Sequence, residues 1–496
     1  MRIGPIARGR KARIAVVDIG SNSIRVVVYD RLSRAPVPVF NEKVLCGLGR
    51  DLSRTGRLHP EGTAMALRNL TRFRRLLDGM GVRSVDVLAT AAVREAEDGP
   101  AFVAEVERRC NFDVTVISGM EEARLSAMGA LSGAPGADGV MGDLGGGSLE
   151  LVALDRGAFG HQVTLPLGPF RLMNVEKGRA EARAIIARHF EEQSWLADYR
   201  GRTFYPVGGA WRSLAKVHMA RSKYPVHVIH QYAVPASEVV ALAAVIGRQG
   251  RASLERLPQV NRKRLETLPY GGLVLEGLLQ AMAPATVVFS AYGLREGHLF
   301  DLLREKERAT DPLLHTCSEI ARQLDRFGEA SGIARWTRDL FVGETEAAAR
   351  IREAACLLSD FCWAEHPDYR AEHAFLRTLR LAVVGIEHAE RVFLAAAIYV
   401  RYGGILGDRV TRSMQHVLAP DEMKRAELLG ATLRLGLALS GGVPALLEKT
   451  RLEQVDDTLV LSLPAELDTL SGDIVERRLE AVAKIMTCPA RIAIGE

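Results

Sequence analysis

The chain has 496 residues, 48% hydrophobic and 25% charged, with a net charge of +5. That length exceeds what one core organises, so about two to four domains of ordinary globular composition are expected. No apolar run approaches the roughly 18 residues that cross a bilayer, and six cysteines (Cys46, Cys110, Cys317, Cys356, Cys362, Cys488) stand without a CxxC pair, which excludes a membrane helix and argues against a disulfide or zinc framework.

Reduced thiols predict a cytoplasmic protein. The basic start, MRIGPIARGRKAR, reads as a flexible arm, because the IAVV that follows it is too short for a signal-peptide core. Charge is uneven along the chain. Residues 1–310 hold 43 Lys+Arg against 32 Asp+Glu, or +11, and residues 311–496 hold 22 against 28, or −6. The basic part contains every glycine-rich motif, which suits a polyanionic partner.

In chain order, Arg13 to Tyr29 reads as strand, turn, strand: RIAVV, DIGSNSI, RVVVY. Pro60 to Gly79 has helical character, Val85 to Ala89 is β-rich, Val103 to Arg109 is helical, and Val114 to Ile117 is a strand. Glu121 to Leu131 has helix composition. A second hairpin-like run follows from Gly139 to Leu154: GVMGD, LGGGS, LELVAL. Both runs contain Asp–apolar–Gly–x–x–Ser, at Asp18–Ser23 and Asp143–Ser148, which predicts a duplicated domain. A strand over Phe204–Val207 and helices over Val239–Arg248 and Leu273–Met282 complete an alternating α/β pattern. LLREKERATDP (Leu302–Pro312) reads as a linker. About 140 residues of helical composition follow. The tail reads as a strand at Thr458–Asp468, a helix at Asp473–Met486, and a last strand, ARIAIG.

The loops carry the chemistry. In DIGSNSIR, glycine permits backbone N–H groups to approach an anion, and Ser21, Asn22 and Ser23 add donors. Asp18, at the strand end, can hold a magnesium ion. A plain hairpin turn explains this loop alone equally well. DLGGGSLE is more specific. Three glycines (Gly145, Gly146, Gly147) beside Ser148 weaken a strand-flanked unit unless its backbone must approach something closely, and a phosphate fits. Asp143 repeats the position of Asp18, and Glu150 lies seven residues on. In ISGMEEARL, Ser118 reads as a helix cap and the two glutamates suit the helix dipole. One of them could instead face the cleft and deprotonate water, but spacing does not say which. Arg94, after a strand, can fork onto phosphate oxygens. Gly208 and Gly209 in YPVGGAWRSLA form a turn before a helix, suited to phosphate or nucleotide.

Together DIGSNSIR, ATAAVREA, ISGMEEARL, DLGGGSLELV, YPVGGAWRSLA and GLREG (Gly293–Gly297) resemble the exopolyphosphatase/guanosine pentaphosphate phosphohydrolase (Ppx/GppA) family over about residues 13–305. KVLCGLGRDLSRTGRLHPEG (Lys43–Gly62) resembles the family's segment after the first loop. Other actin-like phosphotransferases share the two loops but lack SGxEEARL. The length is similar to the long, four-domain members.

The resemblance implies an α/β chain of duplicated actin-like (ASKHA, ribonuclease H-like) domains, at 1–130 and 131–307. It implies an all-α HD-like domain at 308–450 and a small α/β tail at 451–496. It implies an exopolyphosphatase with magnesium or another divalent cation as cofactor. Glu122 is then the catalytic carboxylate, and Glu150 assists it. Asp143 and Glu150, with Asp18 close by, are metal ligands. Ser21, Asn22, Ser23, Arg94, Gly145–Ser148, Gly208, Gly209 and Arg264 bind phosphate. The implied partners are inorganic polyphosphate or guanosine pentaphosphate, with no DNA, RNA or integral membrane, and the chain is expected to be a homodimer.

Three other readings stay open: guanosine pentaphosphate 5′-phosphohydrolase, an actin-like kinase or polyphosphate phosphotransferase, and a nucleotide-gated scaffold. Two departures bear on them. Ala210 stands where the family's GGT turn has a hydroxyl. The His-Asp pair of HD proteins reads Ser359-Asp360, and serine is a poor replacement for a metal-binding imidazole, so no metal is expected there.

Overall fold

A computed structural model describes residues 12–324 and 331–495. The chain divides into two compact units: Met1–Tyr224 with Val228–Thr310, and Pro225–His227 with Asp311–Glu496.

The first unit contains two sheets built on one scheme. The strands of the first are β1 (Ile14–Ile19), β2 (Ser23–Tyr29), β3 (Pro38–Leu45), β4 (Ser84–Ala89) and β5 (Val114–Val116), in the order β3-β2-β1-β4-β5. Those of the second are β6 (Gly139–Leu144), β7 (Leu149–Asp155), β8 (Ala158–Leu165), β9 (Thr203–Val207), β10 (Tyr232–Pro235) and β11 (Thr286–Phe289), in the order β10-β11-β9-β6-β7-β8. In each, three antiparallel strands are followed by a strand parallel to the first of them, β4 on β1 and β9 on β6. The two hairpin turns also match: Gly20 N donates to Ser23 O and Gly145 N to Ser148 O, each at 3.0 Å. Edge strands β3 and β8 carry no clean apolar alternation, because much of each faces solvent.

The unit's longer helices are α1 (Pro60–Gly79), α2 (Gly99–Cys110), α3 (Gly119–Gly133), α4 (Gly178–Glu191), α5 (Gly209–Arg221), α6 (Ala236–Arg248), α7 (Leu268–Met282) and α8 (Leu294–Asp301). Strand periodicity decides what each face meets. Ala15, Val17 and Ile19 of β1 pack with Phe73 and Phe102 of α1 and α2. Ile14 and Val16 point the other way, onto Leu125 of α3 and Leu294 of α8. Asp18 continues that second series. From the second sheet, Met141, Val152 and Leu154 cluster with Ala123, Ala127 and Ala130 of α3. Helix α3 therefore lies between the two sheets, and from Ala123 onward all but one residue is buried or nearly so.

The second unit is mostly helical, with α9 (Pro312–Leu324), α10 (Glu346–Leu357), α11 (Pro367–Arg380), α12 (His388–Arg401) and α13 (Pro420–Ser440). Its tail is a sheet of β12 (Arg451–Val455), β13 (Thr458–Pro464) and β14 (Ala490–Gly495), with α14 (Asp473–Met486) before the last strand. The tail strand expected to reach Asp468 stops at Pro464, and Ala465–Leu470 is a 3-10 helix. Proline has no N–H to continue the ladder. The charged linker holds a short helix, Glu305–Arg308. Asp360 is engaged by Arg401, whose Nη2 lies 3.1 Å from its carboxylate. No described helix is long and apolar enough to cross a membrane.

Candidate active site

A cleft of about 1050 Å³ empty volume opens in the first unit, lined by both hairpin loops, the start of α3, the Gly208–Gly209 turn and the start of α8. The two loops meet directly. A Cβ at Gly146 would lie 3.1 Å from Ser21 Cβ and 3.2 Å from Asn22 N, so glycine there is what lets the loops approach.

Register builds two opposed rows of side chains. In the first sheet Asp18 pairs with Arg25 and Arg25 with Lys43. In the second, Asp143 pairs with Glu150 and Glu150 with Thr164. Directly opposed residues share a face. One row is thus mainly cationic and the other acidic. Arg212 and Arg264 also line the cleft. Arg212 donates to the carbonyls of Gly208 (3.2 Å) and Ala291 (3.0 Å). The Arg264 guanidinium lies over the Gly208–Gly209 turn, where a Cβ at Gly209 would meet its Nη2 at 2.1 Å. Arg25, Lys43, Arg212 and Arg264 make no ion pair with a described carboxylate.

Glu122 is 8% exposed, and Arg94 Nη1 donates to it at 3.0 Å. Burial outweighs that arginine and lifts the carboxyl to about 7, with Asp143 and Asp18 adding repulsion. Glu150 is 1% exposed, and its Oε1 has no hydrogen-bond partner among the described residues. Burial, then Glu122, pushes it well above the carboxylate range. Asp143 accepts from Ser126 Oγ at 2.7 Å and is also raised, by burial first. Asp18 Oδ2 accepts from Arg295 Nη1 at 2.8 Å.

These acids fit a divalent cation. Among the described residues, Arg94, on Glu122, is the one ion-pair partner of these three carboxyls of raised proton affinity, and one Glu150 oxygen is orphaned. No group of three or more His, Cys, Asp or Glu among the described residues is placed to hold a metal ion by itself. That donor set suits magnesium, which keeps several waters and takes one or two carboxylates plus substrate oxygens.

Glu122 titrates near 7 when folded, against an ordinary 4.5. Its contribution to stability is complete below about 4.5 and is lost as pH rises through about 7. Magnesium is therefore expected to raise Tm more at pH 8 than at pH 5.5, where a proton occupies Glu122. Equal shifts at both pH values would mean that the ion does not meet these carboxylates.

Of the residues expected at the site, Asp18, Ser21, Asn22, Ser23, Glu122, Asp143, Gly145, Gly146, Ser148, Glu150, Gly208, Gly209 and Arg264 line the cleft. Gly147 and Arg94 do not. The carbonyl of Gly147 accepts from Arg171 Nε at 2.9 Å. Arg94 bridges Glu122 and the Ile117 carbonyl, so it orients a carboxylate here. Glu121 turns away to Arg124, which also binds Asp301. Sequence reading missed Arg25, Lys43, Arg212 and Arg295. All four lie inside quoted segments, DIGSNSIR, KVLCGLGRDLSRTGRLHPEG, YPVGGAWRSLA and GLREG, but strand register and the crossing of helices are what bring them to the cleft. Trp211 is core: it is fully buried, and its Nε1 donates to Gly271 O at 2.9 Å.

Residues 26–306 match the model of the Ppx/GppA phosphatase family, and residues 320–492 match that of the exopolyphosphatase C-terminal region. Retrograde regulation protein 2 of Saccharomyces cerevisiae is 26% identical over 78% of this chain and 72% of its own length. Exopolyphosphatase 2 of Mycobacterium tuberculosis is 26% identical over 54% of this chain and 91% of its own. The crystal structure of an exopolyphosphatase from Cytophaga hutchinsonii superposes with a TM-score of 0.54 at 23% identity, covering 58% of this chain and 97% of that one, a likeness of fold.

Proposed function

The chain belongs to the Ppx/GppA phosphatase family, and on that premise we propose that it is an exopolyphosphatase, hydrolysing the terminal phosphoanhydride of inorganic polyphosphate to orthophosphate. The observation that carries this reading is the pairing of an acidic row with four cations that make no ion pair among the described residues, in one cleft. A terminal phosphate suits the acidic end only if a cation joins it there, and the remaining phosphates suit the arginines and lysine.

In this reading the loop N–H groups, with Ser21, Asn22, Ser23 and Ser148, position the terminal phosphate. Glu122 takes the proton of the attacking water. Arg94 holds Glu122 in place, and Glu150 supports it. Magnesium held by Asp143 and Glu150, near Asp18, would supply charge that stabilises the terminal phosphoryl group and the leaving polyphosphate oxygen. Arg25, Lys43 and Arg264 carry the chain that remains. The proposal includes the four-domain division, a homodimer and a cytoplasmic setting. All six cysteines are unpaired, which supports a reducing compartment.

The test is phosphate release by the purified chain from polyphosphate, ATP and guanosine pentaphosphate, with and without magnesium. Polyphosphate is expected to turn over fastest. Faster release from guanosine pentaphosphate would replace the reading with a nucleotide phosphohydrolase, and transfer to a nucleotide without release would make the chain a phosphotransferase.

A further inference from the structure

The second unit is acidic overall, yet one cavity in it gathers positive charge. It has about 870 Å³ of empty volume and lies among the ends and faces of α12, α13 and α14. Arg434 projects from α13, and Arg478 and Lys484 from α14. None of the three side chains makes a hydrogen bond or ion pair to another described residue. Glu427, one face of α13 up from Arg434, is the carboxylate among the lining residues. The floor is apolar: Val400, Ala431, Ala481 and Ile485.

The backbone makes room for this arrangement. Gly403 sits just past α12 at φ +94°, and a Cβ there would lie 2.8 Å from Arg434 Nη2. Burial, and then Arg478 and Arg401, lower the proton affinity of the Arg434 guanidinium. Like charges held together without counterions are unfavourable until an anion relieves them.

We infer that this cavity is a binding site for a compact organic phosphate, such as a nucleotide, separate from the catalytic cleft. Guanidinium groups fork onto phosphate oxygens, and the apolar floor takes a ring or other uncharged group. A long polyanion is disfavoured. The unit carries 22 Lys+Arg against 28 Asp+Glu over residues 311–496, so a chain running out of the cavity crosses a surface of its own sign.

The test is calorimetric titration of the full chain with the imido analogue of ATP, which resists hydrolysis, and with inorganic tripolyphosphate. Two classes of site are expected for the nucleotide analogue, one of them the catalytic cleft. Arg434→Gln with Arg478→Gln is expected to weaken the second class at least 10-fold, leaving polyphosphate turnover within twofold. Glu427→Gln, which removes the repelling carboxylate, should tighten the second class several-fold. At that class the analogue should bind several-fold more tightly than tripolyphosphate. A single class in the native chain, or a second class that the double variant leaves intact, overturns the site. Equal affinity for tripolyphosphate overturns the organic ligand. Should the double variant unfold, Glu427→Gln decides alone, and an unchanged second class overturns the proposal.

Discussion

Glu122→Gln is expected to lower kcat on polyphosphate by roughly two to four orders of magnitude, the usual scale of a general base. The amide keeps an acceptor for Arg94 and keeps the side-chain shape, so the fold around the start of α3 should survive. KM should stay the same or fall, because one negative charge beside a polyanion is gone. The pH profile adds a second signature. A base must be ionised to act, and Glu122 titrates near 7 in the folded chain because burial raises it. In the native chain kcat/KM should therefore rise with pH through about 7 and level off, and the variant should lack that limb. Glu121→Gln is the control. Its carboxylate pairs with Arg124 on the far side of the helix. If both glutamates served only the helix dipole, the two variants would behave alike, with near-normal turnover and slightly lower Tm. A fully active Glu122→Gln chain would move the water-activating role to Glu150, the other buried carboxylate on that wall.

Gly297→Ala should destabilise the first unit by about 3 kcal/mol, at the upper end of what an overpacked core suffers. Helices α3 and α8 touch backbone to backbone. A Cβ at 297 would lie 1.7 Å from the Leu125 carbonyl oxygen, and one at Gly129 would lie 2.1 Å from that of Gly293. Neither carbonyl is the end of a flexible side chain, so one helix must move. Gly79→Ala is the matched control: nothing lies within 4 Å of its Cβ position, in the last turn of α1. It should stabilise slightly, by about 0.5–1 kcal/mol, through helix propensity and a less free unfolded chain. Thermal unfolding should separate the two by on the order of 10 °C. Activity should fall with stability in Gly297→Ala, since Leu125 lies three residues after Glu122 and Gly297 two after Arg295. An unchanged Tm would show that the helix contact is looser than this geometry.

The two hairpin loops, their shared Asp–apolar–Gly–x–x–Ser frame and the duplicated α/β plan were legible in the sequence, because each is local. A turn flanked by two apolar strands declares itself within about 15 residues, and glycines that must admit a neighbouring backbone stand where a strand would not otherwise keep them. The SGxEEARL segment was legible as a capped helix for the same reason, with Ser118 Oγ accepting from Glu121 N. Which glutamate faces the cleft was not legible from spacing. From Ala123 onward, α3 is enclosed along nearly all its length between two sheets, so it has no solvent stripe to show its orientation. The rows Asp18–Arg25–Lys43 and Asp143–Glu150–Thr164 join residues up to 25 apart, through strand register. Arg295 reaches Asp18 across 277 residues of chain. Proximity of that kind is decided by how strands pair and how helices cross, and only the tertiary structure contains it.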